Sequence, residues 1–253
     1  STAVVLAAPV MSITCDAGSN LVWEDSCGNL GELYRDCPFG CQGDLCVCDP
    51  GFTGEACDRC VVHVNGTTGD DGLDGTTWAL ATLTLQVGID EGNARGCESW
   101  VAAGTYTPEG GREGTFAVYA GNQLYGGFAG TELSPLLRDI AANPTVLEGE
   151  IGDPGLITDN VCTLVAVYGT GAVIDGFTIQ HGNRADDCSY SLGKSAGGVS
   201  FTPQGYTPET LTIRNTTLRE NHSTGAHGMW DAAALYVEQG SLQLDNCIVE
   251  NNT

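Results

Sequence analysis

The chain has 253 residues, including 36 Gly and 12 Cys, and carries 32 Asp and Glu against 9 Lys and Arg, a formal net charge of -23. That length suits one large all-β domain or two smaller ones. The acidic balance argues against nucleic acid and anionic membranes as partners, and it favours divalent cations or a simple solubility role. Because no apolar run approaches the roughly 18 residues that a membrane span needs, the sequence predicts no membrane span.

Residues 1–14 form an apolar arm that begins with the β-prone stretch TAVVLAAPVM at 2–11. Three interpretations are open: a remnant of a secretory signal sequence, a strand packed on its own domain, or a strand that adds to the sheet of a neighbouring molecule. The chain starts without Met or a basic segment, so we expect that a signal peptide has been removed. The third interpretation places the assembly contacts at Ala3, Val4, Val5, Leu6 and Val10.

Residues 15–60 are rich in cysteine, with eight of the twelve cysteines of the chain. This density is typical of proteins that fold where thiols are oxidised, so we expect the protein outside the cell or on the cell surface. A zinc site is the alternative for the cluster, but no His lies among these cysteines.

The segment CVCDPGFTGEAC at 46–57 resembles the C-terminal half of an EGF-like module. The resemblance implies an interaction or spacer unit that is held together by its disulfides, since it has little apolar content for a core. Its usual pairing implies the bonds Cys27–Cys41, Cys37–Cys46 and Cys48–Cys57, which leaves Cys15 and Cys60 to join each other.

Residues 61–110 open a second predicted domain and include a Gly-rich acidic loop at 66–77. The loop carries Asp70, Asp71 and Asp74, whose short carboxylates suit a hard cation such as Ca²⁺. A solvated acidic turn is the alternative.

One phrase recurs in the C-terminal half, as VIDGFTIQHGN at 173–183, TIRNTTLRENH at 212–222 and QLDNCIVENNT at 243–253, with a fainter copy that starts at 146. Aligned copies place Ile174, Ile213 and Leu244 in one column and Ile179, Leu218 and Val249 in another, and they predict Leu147 in the first column. Gly and Asn recur at the corners, where both tolerate left-handed backbone angles and where stacked Asn side chains can bond one another. Strands that repeat in this way predict a solenoid of stacked coils, a parallel β-helix; a β-sandwich is the alternative.

The segments VAAGTYTP at 101–108, LYGGFAGTE at 124–132 and NPTVLEGEIGD at 143–153 resemble a family of secreted bacterial right-handed parallel β-helix proteins, which includes pectate-lyase-like and polymorphic outer-membrane-protein-type repeats. The resemblance implies an all-β fold in which a right-handed parallel β-helix with an N-terminal capping helix occupies 61–253. It implies a first strand at 61–64, the acidic loop at 66–77, the capping helix at about 78–93 and a further strand at 99–106. Adhesins, surface proteins and polysaccharide-active enzymes share this fold, so fold alone does not identify the activity.

Several further residues carry specific predictions. Cys162 and Cys188 are separated by about one coil and could be bridged; Cys247 falls in an inward column as a buried thiol, while Cys97 has no assigned partner. Four Asn residues lie in N-x-[ST] sequons, and whether they carry glycans depends on the host. They are Asn65, Asn215, Asn221 and Asn251.

Charged side chains in the repeats give no catalytic pattern. Asp175, Arg214 and Asp245 share one outward column and predict a charge-balanced ladder, and the absence of a repeating ligand spacing favours surface positions for the histidines. A polysaccharide lyase would need a basic residue to remove a sugar proton beside bound Ca²⁺. The basic candidates are Lys194, Arg184, Arg214 and Arg219, and the histidines in question are His63, His222 and His227.

The leading hypothesis is therefore an extracellular, non-enzymatic structural or adhesive protein that assembles with copies of itself, with the apolar arm docked on a neighbour. Surface glycans or proteins are the other expected partners, and Ca²⁺ is the expected cation. A Ca²⁺-dependent polysaccharide lyase or another carbohydrate-active β-helix enzyme is the alternative. A passive carbohydrate-binding module would need exposed aromatic stripes, which an aromatic content of 7% supports poorly.

Overall fold

The computed structural model describes six strands between residues 12 and 53 and then residues 59–189, 195–203, 209–225 and 232–253. The chain divides into two compact units, Ser1–Cys60 and Val61–Thr253. Each unit is described by itself. The predicted arm residues Ala3, Val4, Val5, Leu6 and Val10 lie outside the described residues.

The first unit contains short antiparallel strands. β1 (Ser12–Cys15), β2 (Leu21–Glu24) and β3 (Leu30–Arg35) form one sheet in that order, and β4 (Cys41–Gln42) pairs with β5 (Leu45–Cys46), followed by β6 (Phe52–Thr53). Cys60 is disulfide-bonded, as is Cys97 in the second unit. The four pairs implied by the EGF-like resemblance involve side chains outside the described residues, so they stay predictions.

Most of the regular elements in the second unit are β-strands, with one α-helix among its described residues. Short 3-10 turns lie at Trp78–Leu80, Gly111–Glu113 and Pro135–Leu137. The elements in chain order are β7 (Arg59–Val64), α1 (Leu85–Arg95), β8 (Glu98–Ala102), β9 (Gly104–Tyr106), β10 (Phe116–Tyr119), β11 (Gln123–Phe128), β12 (Thr145–Glu148), β13 (Val165–Tyr168), β14 (Ala172–Asp175), β15 (Phe177–Gln180), β16 (Asn183–Arg184), β17 (Val199–Phe201), β18 (Thr210–Arg214), β19 (Thr217–Arg219), β20 (His222–Ser223), β21 (Leu235–Val237), β22 (Ser241–Asp245) and β23 (Ile248–Glu250).

These strands form three large parallel sheets and a smaller one in which β16 pairs with β20, and none of these sheets closes into a barrel. The first sheet follows the order β7, β8, β11, β14, β18, β22; the second follows β9, β12, β15, β19, β23; and the third follows β10, β13, β17, β21. From β10 onward the described chain contributes one strand to the third sheet, one to the first and one to the second, and this order occurs four times. We call each such set of three strands a layer; the last layer is β21–β23.

The layers stack in the register that the repeated phrase predicts. Ile174 pairs with Ile213 and Ile213 with Leu244 in the first sheet. In the second sheet, the predicted column of Ile179, Leu218 and Val249 is likewise in register.

The fainter copy was assigned to the wrong column. Leu147 pairs with Ile179 in the second sheet, and the residue that precedes Ile174 in the first column is Leu124. The loop at 129–144 separates β11 from β12, so the two apolar positions of this layer are 23 residues apart along the chain and no longer read as one phrase.

Helix α1 begins seven residues later than predicted. Thr82 runs beside Val64 as an isolated parallel bridge, and its N–H donates to the carbonyl of His63, so the chain is extended there. The helix then lies very close to the first strands: a Cβ added to Gly88 would be 2.1 Å from Val64 Cγ2. The helix buries Leu85 and Ile89 in the core that all three sheets share.

A second apolar cluster contains His63, which was predicted to lie on the surface. Its ring is buried, at 4.6 Å from the Trp78 ring and 5.6 Å from the Trp100 ring between centroids. Its Nδ1 is 2.8 Å from the carbonyl oxygen of Gly75. Burial lowers the pKa of His63 below its ordinary value. His227 lies outside the described residues.

Candidate functional site

The acidic loop before α1 contains the three carboxylates predicted to bind Ca²⁺. Each accepts main-chain hydrogen bonds of 2.8 to 3.0 Å, and those from Thr76 hold the pKa of Asp74 below its ordinary value. Within the described residues, no three His, Cys, Asp or Glu side chains form a group that could hold a metal ion. A Ca²⁺ site at Asp70, Asp71 and Asp74 stays a prediction. The N–H donors belong to Gly72 for Asp70, to Leu83 and Thr84 for Asp71, and to Thr76 for Asp74.

Asp175, at the end of β14, is the centre of a charged cluster on the first sheet. Its Oδ1 accepts hydrogen bonds from Arg138 Nη2 at 2.7 Å and from Asn215 Nδ2 at 2.8 Å, while its Oδ2 lies 3.2 Å from Arg214 Nη2. Arg138 also lies over the Tyr125 ring, with its Cζ 5.3 Å from the centroid. The ladder with Arg214 is therefore present, but the expected solvent-facing position of Asp175 is wrong, since this residue is 3% exposed.

A second cluster lies at the end of the second sheet and places one imidazole between two carboxylates. His181 Nδ1 is 2.8 Å from Glu148 Oε1, and His181 Nε2 is 3.0 Å from Glu220 Oε2. Gln180 donates to Glu148 Oε2 at 2.7 Å and accepts from Arg219 Nε at 2.8 Å. The cluster thus joins three successive strands through paired polar side chains.

Asparagine side chains bond one another along two corners of the stack, as the repeat predicts. Asn221 Oδ1 accepts from the N–H of Gly182 at 3.0 Å, and Asn221 Nδ2 donates to Asn252 Oδ1 at 3.1 Å. At the other corner, Asn246 Nδ2 donates to Asn215 Oδ1 at 2.8 Å. Both Asn215 and Asn246 have positive φ angles, which Asn tolerates better than most residues. The ladders satisfy polar groups where the strands turn.

A disulfide joins Cys162 and Cys188, the pair that the sequence separation suggested, with their Cα atoms 5.8 Å apart. Arg112 fastens the same region, since its guanidinium donates to Asp187 Oδ1 at 2.6 Å and to the carbonyls of Thr158 and Asn160. Cys247 is a free thiol and is only half-buried, because it lies in the last layer.

The four sequons differ in their accessibility. The Asn251 side chain is exposed and that of Asn65 is half-buried. The Asn221 side chain is fully buried, and its amide nitrogen donates to Asn252 and to two main-chain carbonyls. The amide nitrogen of Asn215 donates to Asp175. Because a glycan is attached through that nitrogen, Asn221 cannot carry one in this fold.

The basic residues proposed for a lyase are occupied by structural contacts. Arg214 pairs with Asp175, Arg219 with Gln180, and Arg184 is buried with its Nη1 3.3 Å from the carbonyl of Ser189. Lys194 lies outside the described residues.

One aromatic pair lies on the outer face of the third sheet. Tyr119 and Tyr168 are adjacent in register, with ring centroids 6.2 Å apart, and burial raises the pKa of Tyr168. Thr202 follows Phe201 along its strand and would be the next member of this column, so the pair does not extend into a third ring there. A stripe of two rings is short for a sugar-binding platform.

Sequence reasoning missed two contributors to these clusters. Arg138 lies in the loop between β11 and β12, outside the repeated phrase, and Glu148 belongs to the copy whose register was misassigned. Aligning Glu148 with Gln180 and Arg219 would have placed a carboxylate beside His181.

No helix in the described part of the chain is long and apolar enough to cross a membrane. Comparison of the chain with protein-family models, with curated proteins and with solved structures finds no match to any of them.

Proposed function

We propose that this protein is an extracellular structural or adhesive protein, built as a right-handed parallel β-helix, that associates with copies of itself through the ends of its stack. The observation that carries the proposal is the register of the layers, in which the same columns recur from β11 to β22 and from β12 to β23. Further coils with the same columns can be added to such a stack.

Two features support the location and the structural role. Disulfide bonds at Cys60, Cys97 and Cys162–Cys188 suit an oxidising compartment. The polar atoms of the charged clusters around Asp175 and His181 join neighbouring strands, which favours a structural role.

The surface proposed for self-association is the outer side of β21–β23, the last layer among the described residues. Leu244, Ile248 and Val249 are each about half exposed there. Among the described strands, β21, β22 and β23 each pair on one side only. Unpaired edges with apolar side chains favour pairing with another chain. The apolar arm at residues 1–11 is the proposed occupant from a neighbouring copy, by strand addition.

The test is the size of the particle in solution, measured by light scattering and electron microscopy. We expect Val249→Glu and deletion of residues 1–11 each to shift the distribution toward monomer. Leu136→Glu is the matched control, since Leu136 is 89% exposed but lies away from the last layer. Because a charge of -23 repels other copies, association should also strengthen as salt is added. Monomers at every salt and protein concentration would contradict self-association.

A carbohydrate-active enzyme is the second candidate, and Glu148, His181 and Glu220 favour it because two carboxylates flank one imidazole. A carboxylate pair is the machinery of most glycosidases, and Ca²⁺-dependent lyases need a base. Incubation with acidic and neutral polysaccharides, with and without Ca²⁺, followed by assays for reducing ends and for unsaturated products, tests it. Activity that Glu148→Gln abolishes would support this candidate over the structural one.

A further inference from the structure

The loop at 149–161 contains acidic side chains that the repeated phrase does not explain. It leaves the second sheet after β12 and closes on itself through a hydrogen bond of 2.9 Å from the N–H of Val161 to the carbonyl of Gly149. It carries Glu150, Asp153 and Asp159 and no Lys, Arg or His.

Two of these carboxylates are folded into the loop, and each is only half satisfied. Glu150 Oε2 accepts from the N–H of Gly155 at 3.1 Å, and Asp159 Oδ2 accepts from the N–H of Asp153 at 2.9 Å. The other oxygen of each carboxylate, Oε1 of Glu150 and Oδ1 of Asp159, is inaccessible to solvent and has no hydrogen-bond partner. The loop backbone packs closely against the Asp159 carboxylate, since a Cβ added to Gly152 would be 2.5 Å from Asp159 Oδ2.

The next residue provides a separate observation. The Asn160 side chain is 0% exposed, and neither its Oδ1 nor its Nδ2 has a hydrogen-bond partner. Buried side-chain amides are almost always bonded, so an amide with both atoms unpaired beside a half-satisfied carboxylate indicates a missing ligand.

Burying anionic oxygens without a partner is costly, and the neighbouring cation donates a hydrogen bond to neither of these two oxygens. Arg112, the basic residue that contacts this loop, directs its guanidinium to main-chain carbonyls and to Asp187. Water can donate to one such oxygen, but it does not neutralise two carboxylates in a protein with a net charge of -23. A hard dication does both, because Ca²⁺ takes six to eight oxygen ligands from carboxylates, amides, carbonyls and water.

We propose that the loop at 149–161 binds one Ca²⁺ ion through the carboxylates of Glu150 and Asp159, with the amide oxygen of Asn160 and water as further ligands. The loop that sequence reasoning selected differs in one respect: Asp70, Asp71 and Asp74 each accept main-chain hydrogen bonds, and none of their oxygens is both buried and unpaired. With two carboxylates, the affinity should be that of extracellular Ca²⁺ modules, with a Kd of about 10⁻⁴ to 10⁻³ M.

Titration of the whole chain with CaCl₂, followed by calorimetry and by the thermal midpoint, tests the proposal. We expect one site, a rise in midpoint with Ca²⁺ and a weaker response to Mg²⁺, which demands stricter octahedral geometry. Glu150→Gln and Asp159→Asn should each raise the Kd at least about tenfold. Asp153→Asn is the matched control, since it removes the same charge from an exposed carboxylate in the same loop.

Asn160→Asp separates lost binding from lost folding, because it replaces an amide with a charged ligand of the same shape and should tighten Ca²⁺ binding. Three results would overturn the proposal. They are no Ca²⁺ response at 10 mM, about ten times the weaker end of the expected range; equal losses from Asp153→Asn and Asp159→Asn, which indicate general attraction to an acidic surface; and loss of binding in Asp71→Asn but not in Glu150→Gln.

Discussion

The inner layers and the last layer contain the same kinds of residue in the same columns, yet their burial differs. Ile213 is fully buried, whereas Leu244, its neighbour in register, is 46% exposed. Leu218 is fully buried, whereas Val249 beside it is 54% exposed. Each pair differs mainly in whether a further layer lies on the outer side. Residue type and strand position therefore do not determine burial here; a stacked neighbour does.

The largest expected effect on stability comes from two substitutions by Ala, one in an inner layer and one in the last layer, that remove the same number of carbon atoms. Ile213→Ala should lower the free energy of unfolding by about 3 kcal/mol, because it leaves a cavity between two layers. Leu244→Ala should cost less than about 1 kcal/mol, since its side chain already contacts water. Urea unfolding followed by circular dichroism measures both.

Equal costs at Ile213 and Leu244 would contradict this comparison for the isolated chain. A large cost at Leu244 that appears only at high protein concentration would instead indicate that a second copy covers the last layer.

An effect of comparable size concerns two aspartates in one column. Asp175→Ala should cost about 3 kcal/mol, because it leaves the Arg138 and Arg214 guanidinium groups without their shared buried partner. Asp245→Ala should change stability by less than about 0.5 kcal/mol, since Asp245 is exposed. Thermal unfolding of the two variants compares them, and Asp175→Asn, which keeps the shape and some hydrogen bonds, should fall between them.

The corner asparagines test the same difference between an inner layer and the last layer, here with uncharged side chains. Asn221→Ala should cost about 2 kcal/mol, because the buried N–H of Gly182 and the carbonyl of Ile179 lose their partner. Asn252→Ala should cost about 1 kcal/mol or less, since Asn252 lies in the last layer and water can replace part of its contacts. Hydrogen exchange at Gly182, faster in Asn221→Ala than in Asn252→Ala, would locate the effect; equal rates would show that the ladder is not what protects it.

How far the sequence predicts this structure depends on how continuous each layer is along the chain. The phrases at 173–183, 212–222 and 243–253 keep both columns within one short segment, so their register and their corner asparagines were predicted correctly. The layer of β10–β12 carries a 16-residue loop between its columns, and periodicity cannot show that Leu124 and Leu147 belong to one layer.

The candidate sites were less predictable because their partners come from loops. Arg138, which lies outside the repeated phrase, reaches Asp175 from 37 residues earlier in the chain. The dense spacing of the acidic residues at 70–74 predicts a cation site, and these carboxylates also accept main-chain hydrogen bonds. The orphan oxygens of Glu150 and Asp159 become visible only once the burial of each atom is known.

The smallest expected effect is a pH dependence of stability. It arises at one end of the column of paired residues whose other end is Asp245. That column begins at His63, which the loop before α1 and the Trp78 ring cover. Burial is the main cause that lowers the pKa of His63 in the folded protein, so the unfolded chain takes up a proton first as the pH falls. The stabilising contribution of the neutral ring is therefore complete above the ordinary pKa of about 6.5 and is lost as the pH falls from there toward the lowered folded value. His63→Phe should remove this part of the slope of unfolding free energy against pH between about 6.5 and 5. Ile213→Ala is the control, because it should lower stability at every pH and keep the slope. An unchanged slope in His63→Phe would show that protonation of His63 does not contribute to the pH dependence of stability.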